Sequence, residues 1–207
     1  MLYLYDRTIC NDLKQSFNPI NSGDPVVTFV DTESVIGLAA QIQDDNITFP
    51  VVAVTRKTDT NVDRDRLNFT RLHSGVQSVI DNKTNNVYYE RVLPVDLRYV
   101  ITVLSTNVVD MDEIVREILF KYSNMYFLTL KLPYEASRKV RFGVMIDPDS
   151  SIDRSSSTSE YIKAGQLYQT LIPLKVDGAV LVSYTPAKLI RKVTDVNIVS
   201  KHGENLI

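Results

Sequence analysis

The stretch "DPDSSIDRSSST" sets Asp147, Asp149 and Asp153 at the first, third and seventh places of a calcium-type acidic loop. Two places fail. Ile152 stands where the turn needs glycine, and Thr158 where a bidentate glutamate would close the coordination shell, so the stretch reads as a solvated acidic turn. Zinc needs three or four ligands brought together, whereas His73, His202 and Cys10 are far apart. The chain's 7 glycines form neither a dinucleotide-binding fingerprint nor a P-loop. No nucleophile elbow is written in, and Cys10 has no histidine near it in sequence. Asp96 with Asp110 or Asp112 would make a carboxylate pair for general acid–base work. The same residues read more simply as a polar strand position and a helix cap. No enzyme, metal or cofactor is expected.

What remains is charge. "VTRKTDTNVDRDRLNFTRLH" carries Arg56, Lys57, Arg64, Arg66 and Arg71, and "SRKVRF" carries Arg138, Lys139 and Arg141. Asp59, Asp63 and Asp65 balance the first cluster, and no aromatic-interleaved basic groove is visible. Direct nucleic-acid binding is therefore not expected, while a protein partner stays open. The tyrosines in or beside strands suit a rim or a subunit contact, where the ring packs and the hydroxyl stays wet.

The elements that must position these groups follow from periodicity. "DRTICNDLKQSF" spaces Ile9, Leu13 and Phe17 for a short opening helix with Asp6 as its cap. The β-branched runs 25–30 and 49–57 read as strands, and the polar stretch 58–86 as an exposed loop holding at most a turn or a strand. From Val95 the chain alternates: Leu97, Tyr99, Ile101 and Val103 share its apolar side, and Asp96, Arg98, Val100, Thr102 and Leu104 the other. That pattern predicts a strand starting at a rim and running inward. Asp110 and Glu113 have capping-box spacing, and Met111, Ile114, Val115, Ile118, Leu119 and Tyr122 form the stripe of a helix packed on a sheet. Strands are expected at 125–132 and 139–147, and a mobile loop at 147–160. Asp177-Gly178 suits the turn of a β-hairpin.

At 207 residues, 44% hydrophobic and 23% charged, the chain is long enough for a sizeable core without metal or disulfide. We expect an α+β fold: a mixed, mainly antiparallel β-sheet flanked by helices, with a long β-hairpin and a C-terminal arm. Residues 1–185 would form one domain with an inserted loop region at about 58–86, and 186–207 a strand or arm. A net charge of −2, from 23 basic and 25 acidic residues, gives no global field for nucleic acid. The lone Cys10 suggests a core thiol in a reducing compartment. No secretion signal and no membrane-length apolar run is visible.

The text "LPVDLRYVITVLS" followed by "DMDEIVREILFKY" resembles tail terminator or tail completion (neck) proteins of tailed bacteriophages and the capping proteins of related contractile injection systems. The resemblance implies a virion structural subunit, made in the host cytoplasm, that forms a homo-oligomeric, six-membered ring on the end of a tail tube. Its partners would be tube and sheath proteins and neck or head-completion proteins, with no membrane involved. Another head-tail connector or baseplate role is the alternative. Such a subunit works through margins and loops. The contact candidates are Arg56, Lys57, Arg64, Arg66, Arg71, Asp96, Arg98, Arg138, Arg141, Tyr161, Lys188 and Arg191.

Overall fold

The computed structural model describes residues 1–17, 26–29, 49–58, 60–63, 77–80, 87–132, 139–158 and 166–187. The fold is α+β, a mixed sheet curled into a half-barrel and flanked by two helices among the described residues. In chain order the elements are α1 (Leu2–Ser16), β1 (Val26–Phe29), β2 (Val51–Arg56), β3 (Asn61–Val62), β4 (Gln77–Ile80) and β5 (Val87–Ser105). Then come α2 (Val108–Tyr122), β6 (Tyr126–Lys131), β7 (Lys139–Ile146), β8 (Asp153–Thr158), β9 (Gln166–Asp177) and β10 (Val180–Ala187).

β5 is the axis of the molecule. Its 19 residues extend over roughly 60 Å at strand rise, longer than a small domain is wide. On one flank β2, β3 and β4 pair with it in succession, and on the other β9 and then β10. Every described pairing is antiparallel except β1 with β2. The strand therefore does not begin at a rim near Val95, as the alternation suggested; it begins at Val87, already paired on both sides. The earlier residues "VYYERVLP" hide this because no clean alternation marks them.

The expected hairpin at Asp177-Gly178 is corrected. β9 and β10 do not pair with each other; they lie end to end along β5. Leu97 faces Val176 and Pro94 faces Val180, so three steps on β5 meet four on its partner. The extra residue makes a bulge, and Gly178 supplies its positive φ of 78°. Asp-Gly tolerates positive φ in a turn and in a bulge alike, so local chemistry did not separate them. α1 covers this kink: the Tyr5 hydroxyl donates to the Val180 carbonyl and accepts from the Val180 N–H, both at 2.8 Å.

Three further expectations change. Asp6 does not cap α1, which starts at Leu2; it lies buried inside the helix's sheet-facing side. α2 is capped by Asn107, whose side chain accepts the Val109 N–H at 3.0 Å, because the chain leaves β5 in extended conformation and turns three residues before Asp110. Residues 153–158 are not a loop but β8, paired to β9. The preceding turn is tied by Asp147, which is buried rather than solvated and accepts the Asp149 N–H and the Ser150 hydroxyl. The stretch 58–86 contributes β3 and β4.

Both helices lie on the face of the sheet defined by Val95, Leu97, Tyr99, Ile101 and Val103, and the main core forms there with Ile9, Leu13, Ile114 and Ile118. No helix among the described residues is long and apolar enough to cross a membrane.

Candidate functional site

Alternation fixes what the opposite face, which carries no helix among the described residues, displays. At one end Val51, Ala53 and Leu104 form a small buried cluster with Phe49 and Leu167 against it. At the other end the rows turn basic. Lys57 continues β2 and its N–H donates to the Arg98 carbonyl at 2.9 Å; Arg98 pairs with Lys175, and Lys175 with Met145. On the outer two strands Thr129 faces Arg141 and Lys131 faces Lys139. Lys57, Arg98 and Lys175 are half-buried, while Lys131, Lys139 and Arg141 are exposed. None of these six cations forms an ion pair with a described residue. Two carboxylates, Asp96 and Asp177, lie within the band, since by register they are neighbours across β5 and β9.

The band has an aromatic edge. The Arg141 guanidinium lies over the Phe127 ring at 4.2 Å, and Phe127 is half exposed. Phe127 faces Gly143 across the strands, and a β-carbon there would meet Met125 Cγ at 2.7 Å. Glycine at that position leaves the notch in which the Met125 side chain lies. β6 ends the described sheet, so this apolar and basic margin is also a strand edge.

On the helix-covered face, two carboxylates of α1 hold the layers together. Asp6 accepts from Arg56 Nη1 with both oxygens, at 2.8 and 2.7 Å, and from the Tyr99 hydroxyl at 2.7 Å. Asp12 accepts from the Tyr122 hydroxyl and from Lys121, both at 2.7 Å, and Lys121 also bonds the Ser16 hydroxyl. Burial, and after it the adjoining carboxylate, pushes the Tyr99 and Tyr122 phenols well above their ordinary range. Burial likewise pushes the Cys10 thiol up to about 11, which leaves it a protonated core group. Next to Asp6 and Cys10, a cleft of about 410 Å³ opens between α1 and β1, with Arg7 and Lys14 on its wall.

Of the contact candidates, Lys57, Asp96, Arg98 and Arg141 come together on the face opposite the described helices. Arg56 does not join them: it sits one residue out of phase with Lys57 and is engaged by Asp6. Arg64, Arg66, Arg71, Arg138, Tyr161, Lys188 and Arg191 lie outside the described residues. Lys139, which the sequence already groups with Arg141, and Lys131 and Lys175, which only strand register identifies, complete the band. The carboxylate pairing of Asp96 with Asp110 or Asp112 is not formed. Asp96 is on the sheet face opposite the described helices, and nine residues of strand, roughly 30 Å, separate it from the end of β5 where α2 begins. Among the described residues no group of three or more metal-ligating side chains converges. No protein-family model matches the chain, and no curated protein matches it.

Proposed function

We propose that this chain is a non-enzymatic structural subunit of a phage-type tail, a terminator or completion protein that closes into a ring on the tube and joins it to the neck. The observation that carries the reading is β5. A single strand of 19 residues, doubly flanked by successive partners, leads directly through Asn107 into α2. That arrangement makes a stiff, curled sheet. Its ends and edges, not a cleft, are the parts that reach a neighbour, and heterologous contacts between such subunits close into rings when the rotation per copy permits. The basic band with its Phe127 edge supplies a surface for a protein partner. Virion tail and neck location, six-fold stoichiometry, and tube, sheath or head-completion partners belong to the same proposal.

The test is electron microscopy of the full chain with purified tail tubes. Rings of six copies on tube ends support the reading. Single copies only, both free and in the presence of tubes, overturn it.

A further inference from the structure

We propose that the basic sheet face of one copy docks on the outer side of α2 of the next copy, which makes these two surfaces the subunit–subunit interface. The inference rests on the ring reading and names the faces that meet. Four features of the chain argue for it. First, the band carries six cations against Asp96 and Asp177, none of the cations ion-paired to a described residue. Second, removing those eight charges from 23 basic and 25 acidic residues leaves 17 against 23, so the rest of an identical copy is acidic and complementary to the band.

Third, the outer side of α2 offers Asp112, Glu113 and Glu117 against Arg116 and, from β8, Arg154, which bonds Asp112 at 3.0 Å. Val109 and Phe120 lie on the same side at 59% and 75% exposure, apolar groups large enough to meet Phe127, Met125 and Met145. Fourth, the two surfaces are on opposite sides of the curled sheet and its helix layer among the described residues. A contact between them is front to back, the heterologous kind that propagates and closes. Nucleic acid is the other occupant a basic face suggests. The two carboxylates inside the band oppose a phosphate chain, and no row of stacked aromatics accompanies the cations among the described residues.

The experiment is sedimentation velocity on the full chain and on two double variants: Lys139→Glu with Arg141→Glu on the sheet face, and Glu113→Lys with Glu117→Lys on α2. Glu117, Lys139 and Arg141 are exposed and Glu113 is half-buried, so circular dichroism melts check that each variant folds. Each variant alone is expected to self-associate at least about tenfold more weakly than the unchanged chain, because like charges then oppose at the contact. Mixed together, the two variants are expected to recover assembly, since each presents the sign its partner lacks. Wild-type self-association is expected to weaken between low and about 0.5 M salt. Assembly indifferent to both reversals overturns the pairing while leaving the ring intact; assembly into open chains keeps the pairing and overturns the ring. A wild-type chain that stays monomeric throughout overturns the pairing. So does loss of binding to a single-stranded oligonucleotide in the sheet-face variant with its self-association unchanged.

Discussion

The two carboxylate latches on α1 use the same three kinds of side chain for different joints. Asp6 reaches down to β2 and β5 through Arg56 and Tyr99, and so fixes the helix layer to the sheet. Asp12 reaches sideways to Lys121 and Tyr122, and so fixes one helix to the other. At the first joint the partners arrive from two strands whose register sets Arg56 opposite Tyr99. At the second, both partners are consecutive residues of α2, so one helix rotation positions both. A strand-built latch depends on long-range pairing, whereas a helix-built latch is close to a local property.

Substitutions can break this comparison. Asp6→Ala leaves the Arg56 charge and the Tyr99 hydroxyl without their shared acceptor, and is expected to lower unfolding free energy by about 3 kcal/mol in urea melts. Asp12→Ala is expected to cost less, about 1–2 kcal/mol, because Lys121 keeps the Asp12 carbonyl and the Ser16 hydroxyl as acceptors. Equal losses would mean the two joints do not differ in the way argued. Gly178→Ala tests the bulge that α1 clamps through Tyr5. A β-carbon at φ 78° is expected to cost about 1–2 kcal/mol, with the melting temperature as the readout.

Alkaline pH sharpens the comparison further. The Tyr99 and Tyr122 phenols are raised above 10.0 in the fold, so between about pH 10 and 12 the unfolded chain loses protons that the folded chain keeps. The folded state then binds more protons, and stability is full below pH 10 and falls as pH rises past it. Tyr99→Phe and Tyr122→Phe are each expected to flatten that fall, measured by urea melts at about pH 8 and pH 11. A slope insensitive to both changes would separate the phenols from the alkaline response.

How much of this was legible in sequence varies by element. The stripe of α2 and the alternation of residues 95–104 were readable, because the face each residue takes is a local consequence of helical or strand period. Asn107 and Asp110 are both competent cap acceptors in the sequence, and the choice between them depends on where β5 ends. The Asp-Gly pair and the stretch 153–158 are ambiguous in the sequence for a related reason. A turn, a bulge and a polar edge strand share composition, and only the presence of a partner strand distinguishes them. In the candidate site, Lys57, Arg98 and Arg141 were visible as charges, but their gathering with Lys175 and Lys139 was not.

The sequence by itself determined the apolar faces of residues 95–104 and of the helix that follows, and that the fold is α+β, since these follow from hydrophobic period along the chain. Only the tertiary structure decided that β9 and β10 run as one kinked strand along β5, that Asp6 belongs to Arg56 and Tyr99, and that scattered cations form one band. Strand register joins residues tens of positions apart, and no local pattern encodes which rows will meet.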